Sequence, residues 1–339
     1  MKLQKLLLLF SIISSFTLFG QERIPGTNYT HFQLKNKKDT IDFVVADTSF
    51  NEVKPILLFC QGSQPLPLFI VFDDGYILSA PLGNFDLQYM KLNYYVVVIS
   101  MPHTPIIVST SHLNKEYCYI KDTTNQHSYS LDYLRADHAE NYINRANIVL
   151  KYLKKQKWVN PNELVVAGHS QGSRIAVGIA ASNKKVTRLG LFGYNPMNRV
   201  EQLIRQARKS AEKGEITWEK ADSLQQEQLE FYKMIQNEDS VKAHPYLTAW
   251  KSFSKSTLDE LLQIDIPIYV AYGSEDIAAD LCDLIPLKFI ENGKDNLTLH
   301  RYPNLDHNFF PVKENGESDH STRGFWQEVM NAFIDWTRK

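Results

Sequence analysis

Apolar residues come in two rhythms along this chain. Short apolar runs recur at Lys54–Gln61, Tyr94–Ser100, Leu164–Ala167, Val186–Gly193 and Ile266–Gly273, and Leu297–Tyr302 is read as the last strand. Runs of this length, bounded by Gly, Pro, Asn or Ser, predict strands buried on both faces of a sheet. Between them the spacing becomes helical. Leu134, His138, Tyr142, Ala146 and Leu150 step by four residues along a helix predicted over Leu131–Gln156. Ile175, Ala176, Ile179 and Ala180 do the same after the third run, and Phe325, Val329, Phe333 and Trp336 mark a core-facing stripe over Ser321–Arg338. Helix is also predicted over Leu281–Glu291, and two shorter runs, Thr30–Leu34 and Ile41–Ala46, predict antiparallel edge strands. The whole reads as an α/β chain with a mostly parallel central sheet flanked by helices.

The strand–helix alternation breaks once. From Asn195 to Ile264 the chain is charged and helical, with amphipathic stretches at Arg199–Gly214 and Thr217–Asn237 and apolar anchors Trp218, Leu224, Leu229, Phe231 and Tyr232. This segment is read as a helical cap inserted over the carboxyl edge of the sheet. The expected division is a leader over residues 1–20, a first part of the core over 21–194, the cap over 195–264, and a second part of the core over 265–339.

Charge and composition narrow the functional classes. The 37 Lys and Arg residues are matched by 38 Asp and Glu, interspersed along the chain, which leaves no basic footprint for nucleic acid. Lys2 and Lys5 precede an apolar stretch, Leu6–Phe19, that is short for a membrane span and of the length of a signal peptide. Cleavage after Gly20 would give a secreted or periplasmic protein, with membrane contact limited to the leader if it stays attached. Cys60, Cys118 and Cys282 are too widely spaced for a disulfide framework or a metal motif. No metal or organic cofactor is implied, and nothing in the sequence sets the oligomeric state.

Candidate chemistry begins at Gly168-His169-Ser170-Gln171-Gly172, between the Leu164–Ala167 strand and the Ile175 helix. A serine on so sharp a turn is thrust out at the strand's end, in strained backbone, above the positive end of the following helix. Side chains at the two flanking positions would collide, hence Gly168 and Gly172. A charge developing on a substrate oxygen there meets the backbone N–H of Gln171. A second donor is expected where the Lys54–Gln61 strand stops, from Ser63 or Gly62. His169 should pack beside the turn rather than serve as base, because adjacent side chains diverge there.

A serine hydroxyl needs a base within hydrogen-bond reach, and the base needs a carboxylate to hold its tautomer. Two strand ends supply them: Asp276 follows Ile266–Gly273, and His307 follows Leu297–Tyr302. Glu275, Asp280 and Asp283 are alternatives to Asp276. His300 falls inside a strand and His320 beyond the loop. His103 follows the Tyr94–Ser100 strand at the same sheet edge. The aperiodic, tyrosine-containing stretch Ser109–Tyr129 is expected to form a functional loop or a pocket wall.

With these residues in place, the chain from Ile41 onward resembles the α/β-hydrolase superfamily. The resemblance rests on Phe59-Cys60-Gln61-Gly62-Ser63, Gly168-His169-Ser170-Gln171-Gly172, Tyr272-Gly273-Ser274-Glu275-Asp276 and Asp306-His307-Asn308-Phe309. Trp158–Ser173 is also similar to the hydrolase core of prolyl-oligopeptidase-type peptidases and of acetyl-xylan-type esterases. Two departures are visible: Gln61 stands where many lipases and esterases have His, and Ser173 replaces the second Gly of the peptidase motif. The resemblance implies a Ser170–His307–Asp276 triad, in the family's chain order, cleaving a small-molecule ester or acyl bond. A small peptidase or amidase, and a hydrolase-fold binding protein without catalysis, are the competing readings.

Overall fold

The computed structural model describes residues 18–36 and 39–339. Most of the expected leader lies outside the described residues; its last three residues open strand β1 (Leu18–Arg23). The remaining strands are β2 (Thr30–Asn36), β3 (Asp39–Val45), β4 (Lys54–Cys60), β5 (Phe69–Val71), β6 (Ile77–Ser79), β7 (Tyr95–Ile99), β8 (Ile107–Ser109), β9 (Val159–His169), β10 (Arg188–Phe192), β11 (Ile268–Gly273) and β12 (Leu297–Tyr302). Nine of them form one sheet in the order β1-β2-β3-β7-β4-β9-β10-β11-β12. The steps from β1 to β7 are antiparallel, and every step from β7 to β12 is parallel. This is the α/β-hydrolase fold: a mostly parallel sheet with helices on both faces.

The two-residue period of a strand sorts the core into two layers. Ile56, Leu58, Val166, Leu191 and Val270 point to the face covered by the helices Ala139–Leu153 and Gln171–Ser182. Leu57, Phe59, Val165, Ala167, Phe192 and Tyr269 point to the other, covered by the C-terminal helix Trp326–Thr337. Apolar side chains on both faces are why these strands read as unbroken runs. Register then brings the carboxyl ends of β4, β9, β10 and β11 level: Cys60 lies beside Gly168, Phe192 beside His169, and Ala271 beside Phe192. The turns that follow these strands therefore share one edge.

The structure departs from the periodicity in several places. The helix expected over Leu131–Gln156 is two helices, Leu131–Ala136 and Ala139–Leu153. Asp137 breaks it at ψ 74°, and its carboxylate turns inward to accept the hydroxyls of Tyr133 at 3.1 Å and Tyr142 at 2.9 Å. A four-residue apolar step continues through such a break and cannot reveal it. Residues 66–91 hold two three-residue strands, β5 and β6, which pair with β8 in a small second sheet. The helix expected over Leu281–Glu291 opens as a 3-10 turn, Asp280–Leu284, and is α-helical only over Ile285–Glu291. Between β10 and β11 lie five helices: Arg199–Glu212, Trp218–Gln236, Glu238–Ala243, Leu247–Phe253 and Leu258–Leu262. Asn198 and Thr217 cap the first two. Of the expected anchors, Phe231 packs edge-on against Trp250, whereas Trp218, Leu229 and Tyr232 are exposed.

One close cross-layer contact joins β10 and the C-terminal helix. Phe333 is fully buried and meets Phe192 edge-on at 5.4 Å. A Cβ on Gly190 would sit 2.5 Å from the Phe333 ring, so the glycine lets the ring lie flush on the strand. Phe333→Ala is expected to cost about 3–5 kcal/mol, read as a lower urea midpoint at unchanged slope.

Candidate active site

Strand β9 ends at His169 and the next helix begins at Gln171, so Ser170 alone makes the turn, at φ 56° and ψ −123°. For a residue with a Cβ this conformation is strained. Close approach explains the flanking glycines: a Cβ on Gly168 would lie 2.1 Å from the Gly172 carbonyl oxygen, and one on Gly172 would lie 2.0 Å from that of Cys60. The strained residue is held at both ends. The Ser170 N–H donates to the Phe192 carbonyl at 2.9 Å, and the Ser170 carbonyl accepts from the backbone N–H and hydroxyl of Ser173 at 3.1 and 2.5 Å.

The turn after β4 lies alongside. A Cβ on Gly62 would be 3.8 Å from the Cβ of Ser170. Among the described residues, no protein acceptor engages the backbone N–H of Gly62, Ser63 or Gln171. Stretch 109–129, expected as a pocket wall, does not line the cavity above Ser170. It braces the Gly62 turn from behind instead: the Cys118 thiol donates to Gln64 at 2.8 Å and the Tyr119 N–H to the Pro65 carbonyl at 3.0 Å.

Across the site, Nδ1 of His307 is 2.7 Å from Oδ2 of Asp276, which is buried. The other carboxylate oxygen of Asp276 accepts the Ala278 N–H at 2.9 Å. The His307 loop is pinned by Asp306, whose Oδ1 accepts the N–H groups of Asn308 and Phe310, each at 2.8 Å. His169 Nε2–H donates to the His307 carbonyl at 2.8 Å, with the two rings 4.7 Å apart. The two imidazoles shift in opposite directions. Burial alone would depress the pKa of His307, but the Asp276 carboxylate, with Asp306 behind it, more than offsets this and raises it above the ordinary value. Burial, and then the neighbouring His307, push His169 down to about 3. His169 is thus a neutral donor that holds the His307 backbone.

The alternatives are engaged elsewhere. Glu275 is exposed and accepts the Ser274 hydroxyl; Asp280 is held by Arg205 and Lys209; Asp283 takes Tyr272 and Arg301. His300 lies against Tyr302, His320 lies against Phe310, and His103 lines a separate cavity beside Asp42. Ser63, Ser170, Gln171, Asp276 and His307 all line one cavity of about 800 Å³, walled on the opposite side by the helix Arg199–Glu212.

Two contributors had been missed. Gly193, at φ +54°, directly follows β10; a Cβ there would lie 2.9–3.0 Å from the His307 ring and 3.2 Å from Asp276 Oδ2. A glycine closing an apolar run, as at Gly62, was the available signal. Asp137 accepts the Gln171 side-chain amide at 3.2 Å, behind the turn; no local pattern marks it.

A sheet that throws a single strained serine out between a strand and a helix is built as α/β hydrolases are. Residues 120–311, more than half of the chain, match the family described as alpha/beta hydrolase fold, and the chain belongs to that family. Among solved structures, an acylaminoacyl peptidase from Pyrococcus horikoshii superposes with TM-score 0.54 at 13% identity, over 96% of this chain and 42% of that one. A putative dipeptidyl aminopeptidase IV from Bacteroides ovatus ATCC 8483 gives 0.53 at 9%, over 91% and 35%. The alpha/beta hydrolase GrgF from Penicillium sp. sh18 gives 0.51 at 13%, over 91% and 98%. The chain thus spans less than half the length of the two peptidases, and at these identities the likeness is one of fold alone. No curated protein matches the sequence.

Gly193→Ala should separate the His307–Asp276 pair, through both the added methyl and its positive φ. The expected cost is about 1–3 kcal/mol of stability, together with loss of the downfield Nδ1–H proton resonance of His307.

Proposed function

We infer that the protein is a serine hydrolase that cleaves an ester or acyl bond through an acyl-enzyme intermediate. The observation that carries the reading is the 2.7 Å His307–Asp276 pair lining the same cavity as a serine held at φ 56°. Ser170 Oγ attacks the acyl carbon. His307 Nε2 takes its proton and passes it to the leaving alcohol, then activates the water that releases the acid. Asp276 holds Nδ1–H and stabilises the imidazolium. The N–H groups of Gln171 and of Gly62 or Ser63 receive the oxyanion, each worth about 3–4 kcal/mol in such sites. The five inserted helices serve as the cap. The basic, apolar start of the chain supports export to the periplasm or beyond.

A peptidase of the same fold would run the same steps with an amine leaving. The match to two peptidases keeps that reading open to test. A panel of short-chain esters against aminoacyl amides separates the two: amide turnover without ester turnover overturns the esterase. Failure of a fluorophosphonate probe to label the folded protein would point instead to a non-catalytic binding module.

Ser170→Ala and His307→Ala are each expected to lower kcat by roughly 10⁴-fold or more, and the double variant by little further, because the groups act as a unit. Asp276→Asn should cost less than either. The base must be unprotonated, so activity falls as pH drops through the raised pKa of His307. The acid limb of kcat/KM should therefore lie above the ordinary histidine value of about 6.5.

A further inference from the structure

Besides His307, four basic side chains line the cavity above Ser170: Arg174, Arg199, Lys209 and Lys213. Three are accounted for. Lys209 is bonded to Asp280. Arg174 spends its guanidinium on the carbonyls of Asn195 at 2.6 Å, Met197 at 3.3 Å and Lys255. Lys213 is exposed. Arg199 differs from all of them. It opens the helix Arg199–Glu212, is partly buried, and lies 4.3 Å over the ring of Trp250. Among the described residues its guanidinium has no hydrogen-bond or ion-pair partner.

The acids of the cavity do not neutralise it. Asp276 holds His307, Asp280 holds Arg205 and Lys209, and Glu212 holds Arg208. Asp306 is filled by two backbone N–H groups and the Ser318 hydroxyl, and Glu275 takes the Ser274 hydroxyl. Asp137 acts on Arg199 only at a distance, its own oxygens being taken by Tyr133, Tyr142 and Gln171. An arginine stays charged at neutral pH, and its planar fork fits a carboxylate through two parallel hydrogen bonds. Stacking on an indole orients that fork before any ligand arrives.

Resting on the serine-hydrolase reading, we propose that Arg199 is the specificity-determining residue of this cavity and takes a carboxylate carried by the substrate. The preferred substrates are esters with a free carboxylate in either the acyl or the alcohol half, over neutral esters of the same shape. The ester bond then lies at Ser170 on the sheet edge while the carboxylate reaches the inserted helix, so the ligand bridges the two walls.

Two pairs of esters test this on the wild-type protein. Mono-4-nitrophenyl adipate against 4-nitrophenyl hexanoate probes the acyl half; 4-acetoxybenzoate against 4-acetoxybenzamide probes the alcohol half. In one pair the anionic member should be favoured in kcat/KM by about 10- to 100-fold. Arg199→Gln should collapse that ratio toward unity, and Arg199→Lys should retain part of it. Because the ratio is internal to each protein, a general loss of activity in a variant does not affect it. Equal turnover of both members of both pairs by the wild type, or a ratio unchanged in Arg199→Gln, overturns the proposal and leaves the hydrolase standing. Calorimetric titration with adipate itself separates the other failure. Adipate binding that Arg199→Gln weakens, with no ester turned over, overturns the hydrolase and keeps the anion site.

Discussion

The approach of the Gly172 backbone to the end of β4 is the contact on which the site is built. A Cβ at Gly172 would lie 2.0 Å from the carbonyl oxygen of Cys60 and 2.5 Å from that of Gln61. Without side chains at Gly168 and Gly172, the turn closes to a single residue and the helix start drops onto the neighbouring strand. Two consequences follow from the one contact. Ser170 is forced to φ 56°, a conformation that costs on the order of 1–3 kcal/mol where it is not held, and the clamps to Phe192 and Ser173 hold it. The turn at Gly62 is also drawn close to Ser170, and among the described residues no protein acceptor engages the N–H groups of Gly62, Ser63 or Gln171. The Ser170 turn and the Gly62 turn are thus parts of one piece of backbone packing.

The two histidines show how position divides roles between identical groups. Their rings are 4.7 Å apart, yet one is raised and the other lowered to about 3. A carboxylate at 2.7 Å distinguishes them. Two imidazolium charges at such a distance repel, so the ring without a carboxylate stays neutral. His169 has its Nε2–H on the His307 carbonyl and its ring edge-on to Trp326, and so fixes the loop that carries its neighbour. Behind Gln171, Asp137 plays a similar part, tying the helix start to the break between two helices.

Much of this was legible along the chain because its causes are local. A strand buried on both faces must be apolar at consecutive positions, so β4, β7, β10 and β11 were visible as runs. The glycine–serine–glycine spacing states the closeness of the turn, and the Ser170, Asp276, His307 order follows from turns that end successive strands on one edge. Short-range reading failed where a side chain answered to a distant partner. Asp137 interrupts a helix whose apolar step continues through it. Gly193 is glycine because of a ring more than a hundred residues away. In 109–129 the Cys118 thiol and the Tyr119 backbone N–H brace the turn that follows β4.

From the sequence alone came the alternation of strand and helix, the position of the insertion, and the residue types able to supply nucleophile, base and carboxylate. These are properties of periodicity and spacing, which the backbone imposes within a few residues. Tertiary structure alone decided which carboxylate of four meets His307, which imidazole has its pKa raised, and which half-buried basic side chain in the cavity has no hydrogen-bond or ion-pair partner among the described residues. Each of those depends on distance and burial between segments far apart in the chain, the two quantities that set the strength of an electrostatic interaction.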